Sequence, residues 1–218
     1  MEKLKQILTS ILWNYALVSS VFFVVFIIPF FQQDWQSLLY PAFFTIIFFL
    51  SVLSLEKSKK QIIVFALIAS AFEWISFILD LKYLTIAAQV FTVSFFIIIV
   101  ICYISAIAKS KIVNQKVILG SIIGYLLLSI IFGIFIELLV YFDPDAFSYP
   151  FTTEMESSFN NKLYYSLVTL STLGYGDIVP KSPIAKSLAT FISGVGQFYI
   201  AILVALLVGK FAAKNSES

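Results

Sequence analysis

Six long apolar stretches leave this chain few folds to choose from. They lie near residues 9–31, 38–55, 61–79, 83–108, 117–141 and 187–209. A bilayer core of about 30 Å takes roughly 20 helical residues to cross, so each stretch is long enough to span it. The chain is 61% hydrophobic and 12% charged, with a mean hydropathy of +1.00. We therefore predict an all-α integral membrane protein with six transmembrane helices.

The first apolar stretch follows Lys3 and Lys5 and so resembles a secretory signal in its charge pattern. Its apolar run is too long for a signal peptide, and no small-residue cleavage site precedes Gln32. We expect it to remain as a helix that bends near Pro29.

The lysines predict how the chain is oriented. All fourteen basic residues are lysine, and ten fall on one side of the predicted spans. The positive-inside bias makes that side cytoplasmic, together with both termini, in a multi-pass protein of the cell membrane. The ten are Lys3, Lys5, Lys57, Lys59, Lys60, Lys109, Lys111, Lys116, Lys210 and Lys214, whereas Asp34, Asp80, Asp143, Asp145, Glu154, Glu156 and Asp177 fall opposite.

Composition excludes several classes of function. The formal net charge of +2 is too small to indicate a nucleic-acid partner. A single cysteine, Cys102, cannot form a disulfide within the chain, and the absence of histidine removes the usual metal ligand. The lysine-only, Phe- and Ile-rich usage is typical of AT-rich bacterial genomes.

Before the last apolar stretch lies the segment TLSTLGYGDIVP, residues 169–180. Gly174 and Gly176 flank Tyr175, and glycine reaches positive φ without a Cβ penalty. Alternating backbone handedness of this kind turns successive carbonyls the same way. A short helix, capped by Ser158 or Asn160 and running through Ser171, should precede it. A tight turn before a helix is the alternative interpretation.

The segment Thr172–Asp177, TLGYGD, is similar to the selectivity-filter signature of tetrameric potassium channels, with Leu173 where valine is commoner. The order of elements is also similar to that of these channels over roughly the last hundred residues: outer helix, acidic turret (142–161), short helix, filter and inner helix. The four preceding helices give the six-helix, voltage-gated-like layout. The resemblance implies a four-helix domain at 1–111 and a pore domain at 112–218, with a re-entrant pore helix and filter loop between helices five and six.

The resemblance assigns ion binding to the filter and places four chains around it. Backbone carbonyls of Thr172, Leu173, Gly174 and Tyr175, with the Thr172 hydroxyl and the flanking Gly176, would coordinate K⁺ as the bound and transported ion. One signature per chain implies three identical partner subunits. No other cofactor is expected.

The resemblance also implies supporting and gating roles outside the filter. Hydrogen bonds from Tyr165 to Tyr175 and from Tyr164 to Asp177 would brace it, and interfacial packing is the alternative for both tyrosines. Glu137, near the outer end of the fifth helix, would tie that helix to the filter surround or else reach the lipid headgroups. The remaining candidates are a hinge at Gly196, where plain packing is equally open, and gate positions at Ala205 and Gly209.

The fourth helix lacks a voltage sensor, because Tyr83–Ala108 contains no basic residue. A charge moved across the field is worth about 2.3 kcal/mol per 100 mV, so steep voltage gating is not expected. Glu73 lies inside the third span, where an acid is costly. We expect a neutral carboxyl bonded to Ser or Thr, which either locks helices together or makes activity depend on pH.

Together these patterns predict a homotetramer that conducts K⁺ passively and is not an enzyme. Only seven residues follow Phe211, so no cytoplasmic ligand-binding domain is expected. The alternatives are a weakly selective cation channel, a potassium-coupled transporter and a non-conducting sensory subunit. One intact signature per chain argues against the transporter, which would carry four degenerate filter loops in one chain.

Overall fold

The computed structural model describes residues 2–55, 60–110, 113–149 and 158–216. Within these ranges the chain is mostly helical, and six helices are long and apolar enough to cross a membrane. The predicted class, a helical protein with six long apolar helices, is therefore confirmed. Two acids of the predicted turret, Glu154 and Glu156, lie outside the described residues.

The helices are α1 (Glu2–Phe22), α2 (Gln33–Ser54), α3 (Lys60–Leu79), α4 (Lys82–Lys109), α5 (Gln115–Phe142), α6 (Phe159–Leu170) and α7 (Pro183–Ser216). Each predicted span corresponds to one helix, with α6 the short helix before the filter segment. The largest difference in length is at α7, which extends beyond the predicted 187–209 at both ends.

Two strands were not predicted from the sequence. β1 (Phe147–Ser148) pairs antiparallel with β2 (Val179–Pro180), with Phe147 opposite Pro180. The backbone amide of Lys181 also donates to the carbonyl of Ala146 at 2.8 Å. Strands of two residues are too short to show an alternating pattern. They join the segment after α5 to the segment after the filter.

Helix α1 changes its form where a bend was predicted. Phe23–Ile27 is π-helical and Ile28–Phe30 is a 3₁₀ turn that contains Pro29. Proline lacks the N–H that an α-helix hydrogen-bonds at an interior position, which favours a change of helix type at Pro29. The ring of Phe23 stacks on that of Phe43 at 4.4 Å, which fixes this irregular turn against α2.

The chain divides into two compact units, Met1–Leu127 and Leu128–Ser218, inside helix α5. The sequence placed its domain boundary earlier, at 111/112. The first unit packs α2 against α4 through aromatic rings, such as Phe48 on Phe95 at 4.8 Å. Gly120 lets α5 approach α4 closely, since a Cβ there would lie 2.9 Å from the ring of Tyr103.

Glu73 has the kind of partner that its position predicts. The Thr92 hydroxyl on α4 donates a hydrogen bond to the Glu73 carboxyl on α3. The next residue, Trp74, donates from its indole nitrogen to the Thr45 hydroxyl on α2 at 3.0 Å. These bonds connect three helices of the first unit, as the helix-locking interpretation of Glu73 requires.

In the second unit α6 packs on α5 and α7. The Ser166 hydroxyl donates to the carbonyl of Ser129 at 2.7 Å. Gly133 allows close approach, since a Cβ there would lie 3.3 Å from the Leu163 Cα. The residues of α5 and α6 that meet here are buried, so α6 is packed firmly on α5. The position of α6 in turn fixes where the segment after it begins.

Candidate functional site

Helix α6 begins and ends where the sequence places it. The Ser158 hydroxyl accepts a hydrogen bond from the Asn160 amide at 3.3 Å, so Ser158 is the N-cap rather than Asn160. Ser171 ends the helix, and its amide donates to the carbonyl of Leu167 at 2.9 Å. The backbone then turns back sharply, since the Leu173 amide donates to the Val168 carbonyl at 3.0 Å.

The filter segment alternates between two backbone conformations. Gly174 and Gly176 have φ of 55° and 79°, the positive values that the sequence predicts for them. Thr172 also has positive φ, 59°, which the sequence did not indicate because threonine rarely adopts it. Leu173 and Tyr175 keep negative φ. Left-handed residues thus occupy every second position from 172 to 176.

Thr172 makes a contact that the sequence did not reveal. The Gln197 side-chain amide on α7 donates to the Thr172 hydroxyl at 3.1 Å. Gln197 is a polar residue within an apolar helix, which is the signal that could have drawn attention to it. The bond links the inner helix directly to the start of the alternating segment.

The other end of the segment is held at Asp177. The Tyr164 hydroxyl donates to one carboxylate oxygen at 2.6 Å, as the resemblance implied, and the Ile178 amide donates to the other at 3.0 Å. The bond from Tyr164 is the main reason that the pKa of Asp177 falls below its ordinary value. The same bond, with some desolvation and the nearby negative charge, raises the pKa of Tyr164 to about 12.

These pKa shifts predict how acid affects the end of the alternating segment at Asp177. A carboxylate whose pKa is lowered by folding stabilises the fold above its ordinary pKa, and this contribution is lost as pH falls through the native value. We expect Tyr164→Phe to move acid-induced unfolding to higher pH than in the wild type. Thermal stability of the purified protein, measured between about pH 3 and 7, tests this. Tyr165→Phe is the control, and equal acid sensitivity of both variants would contradict the prediction.

Tyr165 has different neighbours from those that the resemblance implied. It is buried, with its ring 5.1 Å from that of Phe147 on β1 and its hydroxyl beside the Thr169 side chain. A bond to Tyr175 is not found within one chain among the described residues. Leu173 and Tyr175 themselves are 58% and 67% exposed in one chain.

Glu137 is paired with a residue that the sequence analysis missed. The ammonium of Lys162, in the first turn of α6, lies 3.0 Å from Oε2 of Glu137 on α5. The lysine side chain is 3% exposed and the glutamate 28%. This oxygen makes no aligned hydrogen bond within the described residues, so the contact is an ion pair defined by distance. A lysine inside a short buried helix was the signal for such a partner.

Gly196 lies against the end of α6. A Cβ at this position would overlap the backbone carbonyl oxygen of Leu170 and lie 2.8 Å from its carbon. Helix α7 continues unbroken through Gly196 in this structure. Close packing of α7 on the end of α6 therefore explains a glycine at position 196. A hinge at Gly196 remains a prediction. Ala205 and Gly209 are exposed in one chain, and nothing lies within 4 Å of a Cβ built on Gly209.

A family model described as "Ion channel" matches residues 122–213. The match covers the second half of α5, the short helix α6, the alternating segment and most of α7. The matched residues, 122–213, are called the ion-channel domain below after the description of that model, and the alternating segment lies within them.

Relatives of the chain include potassium channels. The chain is 34% identical over 93 residues to the A-type voltage-gated potassium channel KCND3 of Homo sapiens and of Rattus norvegicus, which is 43% of this chain and 14% of theirs. It is 30% identical over 103 residues to a voltage-gated potassium channel of Aeropyrum pernix, 46% of this chain and 31% of that one. The chain thus spans less than a third of these relatives. No solved structure matches it.

These similarities confirm the recognition of the potassium-channel family from the TLGYGD signature. Each match extends over less than half of the chain.

Proposed function

We propose that this protein is a potassium-selective channel whose ion sites are formed by residues 172–176. The observation that carries the proposal is the alternation of φ from Thr172 to Gly176, with both ends of the segment hydrogen-bonded. Carbonyls turned to one side can replace the hydration shell of K⁺. The main sites would be the carbonyls of Thr172, Leu173, Gly174 and Tyr175, with the Thr172 hydroxyl innermost.

The channel is proposed to be a homotetramer. One chain contributes one alternating segment, which offers oxygen ligands from one direction only, whereas a K⁺ site needs a complete ring. The most apolar part of α7 is only 11% buried within one chain, and Phe191 and Phe198 are more than half exposed. In the proposed tetramer, the face of α7 with Phe191 and Phe198 would be buried against other subunits, and four segments would complete the ring of oxygen ligands. The hydroxyl of Tyr165 would then bond to Tyr175 of a neighbouring subunit.

In the proposed arrangement α6 re-enters the membrane from the side of the turret. It has 12 residues, too few to span a bilayer, and its first turn contains Lys162, which pairs with Glu137 of α5. The C-terminal end of its dipole, at Leu170 and Ser171, would face the ion path and favour a cation there. Both termini are assigned to the cytoplasm on the lysine distribution.

Selectivity and assembly are tested together by reconstitution. We expect the purified chain to run as a tetramer, and its reversal potential in planar bilayers to follow the K⁺ gradient rather than the Na⁺ gradient. Gly174→Ala should abolish selective current, because φ of 55° is strained for any residue with a Cβ. Lys60→Gln, at an exposed position that begins α3, is the control. Equal permeability to both ions would leave a pore but refute potassium selectivity.

The runner-up is a weakly selective cation channel, since Leu173 replaces the commoner valine and could alter packing behind the filter. The reversal-potential measurement separates the two directly. A coupled transporter or a non-conducting sensory subunit would give no passive K⁺ current.

We expect opening without steep voltage dependence. Steep gating needs about 3–4 gating charges in each of four subunits, and α4 has no basic residue between Tyr83 and Ala108. A conductance–voltage curve recorded over ±100 mV should therefore be shallow. An effective charge near the roughly ten or more that such sensors supply would contradict this prediction.

A further inference from the structure

Gln197 is a polar side chain in the apolar helix α7, and the residue before it explains how it reaches the filter segment. Gly196 lies against the end of α6, where a Cβ would overlap the Leu170 carbonyl. Because position 196 has no side chain, α7 passes close to the residues that follow Leu170. The next side chain, Gln197, donates from its amide nitrogen to the Thr172 hydroxyl at 3.1 Å. Both residues belong to the compact unit Leu128–Ser218.

Thr172 is held at its backbone as well as at its side chain. Its amide donates to the carbonyl of Thr169 at 3.0 Å, and its φ is 59°. Positive φ at a β-branched residue is an outlier that persists only where the surrounding structure imposes it, and such outliers cluster at functional sites. Here the outlier carries a hydroxyl with a defined donor. The inner helix therefore orients an oxygen that the proposed function assigns to the ion path.

The hydrogen bond leaves the Thr172 hydroxyl able to bind a cation. A threonine hydroxyl has two acceptor lone pairs, and the Gln197 amide uses one of them. The other lone pair remains for an ion. Thr172 and Gln197 are both exposed in one chain, so the pair lies at an open surface. A hydroxyl without this donor would have to be ordered each time that a cation binds, whereas a bonded hydroxyl is ordered beforehand.

We propose that Gln197 is a positioning residue of the innermost ion site and that it acts through the Thr172 hydroxyl. The inference rests on the proposed function, in which four such hydroxyls form the innermost ring of oxygen ligands. Affinity for the ion depends on how many oxygens face it and on the field that they exert. Four Gln197 amides would present all four hydroxyls at once, and so strengthen binding of a cation of the size of K⁺.

A purely structural bond is the competing explanation. In that case Gln197 would only hold α7 against the end of α6, and its loss would lower thermal stability without changing how the ring binds an ion. The two roles differ in whether the effect of Gln197 requires the Thr172 hydroxyl. A double-mutant cycle measures that dependence directly.

The test measures Ba²⁺ block of K⁺ currents through the full chain in planar bilayers. Ba²⁺ has almost the radius of K⁺ and twice its charge, so it binds tightly to sites that fit K⁺. Gln197→Met removes the donor at nearly constant length, and we expect block to be about 10-fold weaker, or about 1.4 kcal/mol for the tetramer. This is roughly two-fold or less for each of the four bonds, whereas a typical hydrogen bond changes an equilibrium constant about five-fold.

Three further variants make the result specific. Gln197→Asn keeps the amide but is one methylene shorter, so it should lose the bond and weaken block as Gln197→Met does. It also decides the question if Gln197→Met does not assemble. Thr172→Val keeps the shape of the side chain without the hydroxyl, and Gln197→Met should add nothing to its loss. Gln89→Met is the matched control, the same change in the apolar helix α4 of the other compact unit.

Calorimetric titration of Ba²⁺ into the purified tetramer completes the cycle for a variant that carries no current. Weaker binding in both Gln197 variants, wild-type binding in Gln89→Met and no added loss in the Thr172→Val background support the inference.

The inference alone is overturned by several results in a wild type that conducts K⁺ selectively. These are unchanged Ba²⁺ binding in Gln197→Met, Gln197→Asn or Thr172→Val, an equal loss in Gln89→Met, and losses of Gln197→Met and Thr172→Val that simply add. A wild type without K⁺-selective current would instead refute the proposed function, and this inference with it.

Discussion

Replacing Gly196 with alanine should destabilise the fold of the second unit by about 3 kcal/mol, at the upper end of what overpacking usually costs. The new methyl group would overlap the Leu170 carbonyl, a backbone group that has no rotamer with which to move aside. Either α7 or the end of α6 must shift. Because Thr172 follows Leu170 by two residues, we also expect lower K⁺ conductance and weaker selectivity.

The matched control is Gly194→Ala, two residues earlier on the same helix. Within one chain, nothing lies within 4 Å of a Cβ at Gly194, and alanine is a better helix former than glycine by about 1 kcal/mol. Gly194 shares its face of α7 with Phe191 and Phe198, which other subunits are proposed to cover, so a loss in this variant would report on contacts between subunits rather than on Leu170. Thermal dissociation of the tetramer, followed by size-exclusion chromatography, compares the two.

The same pair of variants separates the two roles open for Gly196. A hinge predicts a changed open probability in a tetramer of normal stability, because alanine stiffens the helix without adding bulk in a tight place. Close packing predicts a loss of stability together with altered conduction. If Gly196→Ala proved as stable and conductive as Gly194→Ala, the contact with Leu170 would have no energetic importance.

The local rules of the chain made much of this structure predictable. Six apolar stretches gave six helices, and Ser158 could be recognised as an N-cap because its hydroxyl precedes the first helical residues. Positive φ at Gly174 and Gly176 followed from the absence of a Cβ. Each of these features depends on residues that are close together in the sequence. Composition and spacing are therefore enough to predict them.

Features that depend on distant residues were missed. Lys162 and Glu137 are 25 positions apart, and neither suggests the other until α6 is packed on α5. The bond from Gln197 to Thr172 also spans 25 positions. Positive φ at Thr172 was missed for a different reason, because threonine is normally strained there and only the surrounding fold can impose it.

The buried ion pair gives the other large expected effect. Breaking a buried pair by removing one partner costs about 3–5 kcal/mol, because the remaining charge is left without compensation. Lys162 is the more deeply buried member, at 3% exposure against 28% for Glu137. Glu137→Gln, which removes the carboxylate beside the more deeply buried charge, should therefore destabilise more than Lys162→Met, which removes the charge beside the less deeply buried one.

The double variant Glu137→Leu/Lys162→Met should recover most of the loss. Apolar side chains of similar size often replace a buried pair at no cost or with a gain of about 1–4 kcal/mol, because both desolvation penalties disappear. Lys181→Met is the control for removing one positive charge, since Lys181 is exposed and outside the pair. All variants are compared by thermal dissociation of the tetramer and by K⁺ current.

The order of these stabilities decides what the pair contributes. If the double variant is stable and conducts normally, the pair acts by avoiding an uncompensated charge, and the contact of α6 with α5 is held by packing. If it is stable but loses selectivity, the pair positions the start of α6, and through it the alternating segment at the other end of that helix. If Glu137→Gln and Lys162→Met both lost little stability, and to the same extent, the ammonium and the carboxylate would be solvated independently. The ion pair would then not help to position the filter segment.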